Sequence, residues 1–257
     1  MFAQERLLRI VEIINQLGKA TVAELSESLA VSAVTIRRDL ELLDEKELLI
    51  RTHGGAMAIH NNKREAPIEK SFSEKEEAFS AEKERIAEAA SKLVNDGDAV
   101  LLTPGTTNMR LARMLIGKKE LTLVTNAANI VTHIGSQSGI DIILTGGKLR
   151  NKSFAMVGPL ADQALTGIRV DKLFLGIDGF DFNEGLTTPN LSEANTNRLM
   201  ISIAKKVIVV ADHSKFGKVT FSQIAPINVV HTVISDRLLP KEIAQRIREL
   251  GIELILC

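Results

Sequence analysis

Cysteine is almost absent. The single one, Cys257, is the last residue of the chain, so neither a disulfide framework nor a cysteine-based metal site is available. Long apolar runs are lacking too, since none approaches the ~18 residues needed to span a bilayer. The opening stretch MFAQERLLRIVEII is charged and amphipathic, and it has no small-residue cleavage site of the kind a secretory signal needs. These absences predict a cytoplasmic protein with no membrane association. Nor is there an excess of one charge: Lys+Arg and Asp+Glu both total 32 in 257 residues. A domain-wide basic surface, the usual footprint of a nucleic-acid binder, is therefore excluded. No Walker pattern, internal repeat or low-complexity segment is found. What is present is an apolar fraction of 45%, enough for real cores in one or two domains.

Residues 21 to 56, TVAELSESLAVSAVTIRRDLELLDEKELLIRTHGGA, read as a helix, a tight turn, a second helix and a short hairpin. That layout is a winged helix-turn-helix, which lays one helix in a DNA major groove and a β-wing on the adjacent backbone. Ser32 is a suitable N-cap, because its hydroxyl can accept an orphan backbone N–H of the second helix. Val31 is placed as a hydrophobic staple. Ile36, Leu40 and Leu43 fall at i, i+4 and i+7 and so share an inward face. Val34, Arg38 and Glu41 then point outward, with Thr35 and Arg37 on the flanks. Ser32, Val34, Thr35, Arg37 and Arg38 on the helix, with Arg51 and His53 on the wing, are the residues expected to meet double-stranded DNA. Thr35 and Arg38 are expected on base edges, and Arg51 and His53 on phosphates. Gly54 and Gly55 would permit a turn close to a phosphate backbone. The second helix also carries Asp39, Glu41, Asp44, Glu45 and Glu47. Any positive field must then come locally from Arg6, Arg9, Arg37, Arg38 and Arg51. A single copy should bind weakly, and useful affinity is expected from a homo-oligomer, a dimer or tetramer, on one site.

The first helix is predicted over Gln4 to Leu17, ended by Gly18. His60 to Ser80 is polar and charge-rich and reads as a linker, partly helical. The expected division is a DNA-binding domain over 1–60, a linker over 61–80 and a second domain over 81–257. From Ala81 a helix to Leu93 is followed by apolar strand candidates at Ala99–Leu102, Leu121–Val124, Ile140–Leu144, Lys172–Ile177, Val207–Ala211 and Val229–Ser235. A last strand is possible at Ile252–Leu256. Short apolar runs alternating with helices predict an α/β fold with a doubly wound, mostly parallel sheet covered on both faces.

In such a sheet, ligands bind beyond the carboxyl ends of strands. Polar and glycine-bearing residues recur there: Gly105, Thr106 and Thr107; Asn126; Gly146, Gly147 and Lys148; Asp178; and Lys215. Backbone N–H groups at a helix start and the threonine hydroxyls suit a phosphate. Lys148, Arg150 and Lys215 could add positive charge, and Asp178 and Asn126 could take sugar hydroxyls. Taken alone, a Gly-Gly pair is more often a plain turn, and lysines are more often solvated. Convergence at four or five strand ends favours an anion or sugar-phosphate pocket. His213 beside Ser214 suggests a hydrolase, but adjacent side chains diverge and make no triad. No catalytic residue, metal site or cofactor is expected.

Glu5-Arg6, Ala23-Glu24-Leu25-Ser26, Val31-Ser32, Thr35-Ile36-Arg37-Arg38-Asp39-Leu40, Leu43 and Arg51-Thr52-His53-Gly54-Gly55-Ala56 together resemble the N-terminal domain of DeoR-family bacterial transcription regulators. Glu47 stands where the family has a glycine that ends the recognition helix. Further on, Gly105-Thr106-Thr107, Val124-Thr125-Asn126, Gly146-Gly147, Val170 to Gly179, Gly185-Leu186-Thr187-Thr188 and Ser214-Lys215-Phe216-Gly217 are similar to the sensor domain of that family. The resemblance implies a fold like ribose-5-phosphate isomerase and a phosphorylated-sugar effector. Thr103-Pro104 and Asn197 depart from the family pattern at positions where related isomerases use carboxylates and lysine. A hydroxyl or an amide cannot shuttle protons near neutral pH, so sensing is expected rather than turnover. Asn197 also resembles the amino-sugar branch of the family. The expected protein is a repressor of a carbohydrate-use operon. The alternatives are an isomerase-like enzyme with an accessory N-terminal domain, and a binding domain that only scaffolds an oligomer.

Overall fold

A computed structural model describes residues 3–17, 19–45, 48–52, 54–57, 69–135 and 139–257. The chain forms two compact units, Met1–Glu65 and Ala66–Cys257.

The first unit contains α1 (Ala3–Leu17), β1 (Lys19–Thr21), α2 (Val22–Leu29), α3 (Ala33–Glu45), β2 (Ile50–Thr52) and β3 (Gly55–Met57). A capping box starts α2: the Thr21 hydroxyl accepts the Glu24 N–H, and the Glu24 carboxylate accepts the Thr21 N–H at 2.7 Å. Such reciprocal capping satisfies donors that the helix start leaves orphaned. Ala30, left-handed at φ 52°, ends the helix. The Ser26 hydroxyl bonds to the Val31 carbonyl and fixes the corner. Ser32 caps α3 as expected, accepting the Thr35 N–H at 3.2 Å. Ile36, Leu40 and Leu43 are buried with Ile10, Ile14, Leu25 and Leu29 in one core, and Val31 packs against it. The three strands form an antiparallel sheet in the order β1-β3-β2; β1 was not foreseen. Gly55 is required here by close approach. A Cβ on it would lie 2.2 Å from the Ala20 carbonyl oxygen, so its lack of a side chain lets β3 pair with β1. The readings on Gly18, Glu47 and His53 fall outside the described residues.

The second unit runs α4 (Phe72–Glu77), α5 (Ser80–Ser91), β4 (Ala99–Leu102), α6 (Thr106–Met114), β5 (Thr122–Thr125), α7 (Ala128–Ile134), β6 (Asp141–Leu144), β7 (Lys148–Leu149) and β8 (Met156–Val157). It continues with α8 (Pro159–Ala164), β9 (Val170–Leu175), β10 (Gly179–Asp181), β11 (Gly185–Thr188), α9 (Leu191–Ser202) and β12 (Ala204–Val210). The chain closes with β13 (Ser222–Ala225), β14 (Thr232–Ser235), α10 (Lys241–Glu249) and β15 (Glu253–Leu256). Seven strands make a wholly parallel sheet, ordered β15-β14-β12-β9-β4-β5-β6. Alternate residues enter opposite cores: Leu101, Leu173, Leu175 and Val209 on one face, Val100, Leu102, Phe174 and Val210 on the other. Seven strand expectations correspond to these strands, with ends displaced by up to three residues. The antiparallel sheet β10-β11-β13 and the pair β7-β8 were not foreseen. Nor is residue 69 onward a plain connector. Phe72 packs against the second core, and α4 is capped by Ser71 and Glu74.

The strand order reverses between β4 and β9. Such a switch point opens a crevice at the carboxyl ends of the two strands, where ligands of doubly wound sheets bind.

Candidate functional site

On the first unit, α3 presents Val34, 66% exposed, together with exposed Arg37 and Arg38. Thr35 is half-buried, its hydroxyl 2.9 Å from that of Ser32. The remaining arginines expected to build a positive field are engaged. Arg6 forms a two-pronged ion pair with Asp39 at 2.6 and 3.2 Å, and it belongs to the packing of α1 on α3. Arg9 pairs with Glu12 at 2.8 Å. Arg51 reaches Glu41 at 2.7 Å, while its own N–H donates to Asp44. Among the described residues, Arg37 and Arg38 are the members of that group without a carboxylate partner. A phosphate approaching Arg51 would share it with Glu41, which engages one of its guanidinium nitrogens.

On the second unit, the crevice at the switch point is lined by Gly105, Thr106, Thr107, Asn126, Asp178 and Lys215, all singled out from the sequence. The Gly105–Thr107 corner lies between the end of β4 and the first turn of α6, whose N-terminus favours negative charge. Thr103 is a structural tie: its hydroxyl accepts the Gly176 N–H at 2.9 Å and an Asn108 side-chain N–H at 3.1 Å. It thus joins the two strands across the switch point. Asn108 and Asn126 line the crevice, each 1% exposed. Their amide N–H groups are used on backbone carbonyls, including Phe174 and Met156, but each Oδ1 is without a partner. Two acceptors held dry and unpaired are costly unless a ligand donates to them.

Asp178 is the electrostatic centre. Its carboxylate lies 2.7 Å from the Lys75 ammonium and 3.4 Å from that of Lys215. Burial pushes its pKa up, but Lys75 and Lys215 outweigh burial and hold it below the ordinary carboxylate value. Lys83 is 4% exposed and donates to the Lys75 and Ala78 carbonyls. Burial lowers its pKa to about 8; the cations Lys215, Arg110 and Lys75 act in the same direction, and Asp212 opposes them.

Gly146, Gly147 and Lys148 do not line the crevice. They follow β6, the edge strand, whereas the switch point lies two strands inward. Gly147 is glycine because a Cβ would sit 2.8 Å from the Val157 carbonyl oxygen, at a φ of 113°. Lys148 is exposed in β7. Arg150 adds no free charge, being ion-paired with Glu69 and Glu193. Thr103 and Asn197, the positions without proton-transfer groups, both line the crevice, but so do Glu193, Asp178, Asp212 and Lys83. The Ser214 hydroxyl bonds to Asp212, while His213 faces Asp236, so the His213-Ser214 neighbours form no triad. Lys83 had a legible signal: it shares a helix face with Ile86, Ala87 and Ala90, a lysine on an apolar stripe. Glu193 had a weaker one, three residues after the N-cap Asn190. Phe72 and Lys75 had none, because their segment has no periodicity.

A family model described as the DeoR C terminal sensor domain matches residues 78–237. A second, the DeoR-like helix-turn-helix domain, matches residues 6–62. The uncharacterized HTH-type transcriptional regulator YulB of Bacillus subtilis (strain 168) is 38% identical over 236 residues, covering 92% of this chain and 90% of the relative. The putative aga operon transcriptional repressor of Escherichia coli O157:H7 is 33% identical over 252 residues, covering 98% and 93%. The glycerol-3-phosphate regulon repressor of Escherichia coli (strain K12) is 32% identical over 248 residues, covering 96% of each. Among solved structures, ribose 5-phosphate isomerase A from Methanocaldococcus jannaschii aligns with a TM-score of 0.39 and 19% identity over 52% of this chain and 53% of that one.

Proposed function

The chain belongs to the DeoR family of helix-turn-helix transcriptional regulators, and from that premise we propose that it represses a carbohydrate-use operon under the control of a phosphorylated sugar. The observation that carries the effector is the crevice itself, where a helix start and Lys215 meet a carboxylate already outnumbered by ammonium groups. Anionic oxygens there would gain charge-assisted hydrogen bonds, the strong kind. The sugar hydroxyls would donate to Asn126 and Asp178. On the first unit, Val34, Thr35, Arg37 and Arg38 enter the major groove, and Arg51 and the wing follow the phosphates. The protein works in the cytoplasm, where its operator is; among the described residues no helix is long and apolar enough to cross a membrane. It binds as a dimer or tetramer, because Arg37 and Arg38, the arginines of the recognition helix without a carboxylate partner among the described residues, supply little counterion release in one copy.

The effector must bind one arrangement of the protein better than another, since equal affinity would shift nothing. It is released unchanged. The relatives above are named as regulators along their whole length, and this favours sensing over turnover although carboxylates line the pocket. Calorimetry over a panel of sugar phosphates, amino-sugar phosphates and their unphosphorylated counterparts tests the reading. One phosphorylated member should bind much more tightly than its counterpart, be recovered intact and alter the footprint on the operator. Equal affinity for both forms, or conversion of the ligand, would overturn it.

A further inference from the structure

The segment that opens the second unit, from Glu69 to Phe79, is part of the crevice wall. Phe72 and Lys75 both line the pocket. Phe72 stacks edge-on against Phe154 at 5.4 Å, Glu69 pairs with Arg150, and Lys83 grips the segment from below through the Lys75 and Ala78 carbonyls. The strap is held along its length, with the Glu76 carbonyl accepting from Arg110 at 3.4 Å, and its side-chain contact with the pocket carboxylate is the Lys75 ammonium on Asp178.

That contact is incomplete. One carboxylate, Asp178, serves two ammonium groups, Lys75 from the strap and Lys215 from the body, and it can neutralise only one of them. Lys83 stands behind both as a third cation on the same wall. Asp212 on the same wall offsets part of this charge, and the cations still exceed the two carboxylates, an excess that an anion placed among them relieves and a neutral sugar does not. The opposite demand, for donors, comes from the orphaned Oδ1 atoms of Asn108 and Asn126. The pocket therefore offers cations to an anion and acceptors to hydroxyls, and the strap contributes to the first.

We propose that Lys75 is a phosphate ligand of the effector, and that the phosphate cross-links the strap to Lys215 and the α6 start, so that occupancy of the pocket is felt directly by the residues that lead back to the DNA-binding unit. This rests on the sugar-phosphate reading above and adds the residue and the route. The strap lies close in sequence to the boundary at 65/66, nearer to it than any strand of the sheet.

The experiment is hydrogen exchange of the full chain with and without saturating inorganic phosphate at fixed ionic strength, with phosphate binding measured in parallel by calorimetry. Amides of residues 69–79 should exchange at least about threefold more slowly with phosphate, since a cross-linked segment opens less often. In Lys75→Met phosphate should bind more weakly and leave exchange in that segment unchanged, while Lys75→Arg, which keeps the charge, should restore the slowing. If phosphate binds the wild type and the segment does not respond, or if Lys75→Met responds equally, the role of Lys75 is refuted and the pocket reading stands. If phosphate does not bind the wild type at all, the pocket reading falls and the proposal with it.

Discussion

Binding of a phosphorylated sugar at pH 8 is expected to draw about half a proton per site out of the buffer, because Lys83, with a pKa of about 8, is then half deprotonated. Burial is the main cause of that low value, with Lys215, Arg110 and Lys75 adding repulsion. A phosphate beside the same cations reverses the repulsion. One charge at about 5 Å, in an effective dielectric of about 20, contributes about 3 kcal/mol, and one pKa unit takes about 1.4 kcal/mol. Raising Lys83 above about 9.5 is thus within reach of a dianion. Proton uptake should then be about 0.2 per site at pH 7.5, about 0.5 at pH 8 and about 0.7 at pH 8.5. The sugar phosphate does not confuse the count, since its second pKa is about 6 and it is already a dianion across this range. Calorimetric titrations in two buffers of different ionisation enthalpy give the proton number at each pH. Lys83→Met should bind with no uptake. An uptake of zero in the wild type at pH 8, or the same uptake in Lys83→Met, would refute the placement of the phosphate among these lysines.

Three further outcomes follow from the same geometry. The low pKa of Lys83 means that the unfolded chain binds more protons between pH 8 and 10.5, so stability must rise with pH across that window; relative to Lys83→Met the gain should approach about 3 kcal/mol in urea unfolding followed by circular dichroism. Arg37→Ala with Arg38→Ala should abolish operator protection in a footprint and leave the melting of the first unit unchanged, whereas Arg6→Ala should lower that melting temperature, because Asp39 loses its partner in the α1–α3 packing. An unchanged footprint in the double variant would remove those arginines from the DNA interface. Gly147→Ala should destabilise the second unit by about 2 kcal/mol or more through its clash with Val157 and its positive φ, yet leave phosphate affinity in the folded protein as it was; a selective loss of affinity would return Gly147 to the pocket.

The helix-turn-helix was legible because each of its determinants is local. A capping serine at Ser32 and an apolar stripe at Ile36, Leu40 and Leu43 act over a few residues, and both are in place. The parallel strands were legible for a similar reason: a strand buried on both faces is an unbroken apolar run, and Ala99–Leu102 can be little else, while Asp141–Leu144 keeps an apolar run although, at the sheet edge, it is largely exposed. The small sheet β10-β11-β13 was not, because its strands are three or four residues long and pair across the distance from Leu186 to Ala225. The site failed at the same level. Every strand end carried plausible polar residues, and only strand order decides which of them meet. With β4 and β9 adjacent at the switch point, their ends supply Gly105 to Thr107 and Asp178, while the neighbours β5 and β12 supply Asn126 and Lys215. The end of β6 lies one strand too far out, which removes Gly146, Gly147 and Lys148 together. Arginine counts misled for a related reason. Charge is additive in a sequence but cancels in space, and Arg6, Arg51 and Arg150 are cancelled by Asp39, Glu41 and the Glu69–Glu193 pair. Lys83 escapes this cancellation because two neutral carbonyls hold it and leave its charge in force. A lysine on an apolar helix face, as Lys83 is beside Ile86 and Ala90, is a buried charge that its two carbonyls and Asp212 offset only in part, since its pKa stays depressed, and that makes it a sharper pointer to an anion site than a count of exposed cations.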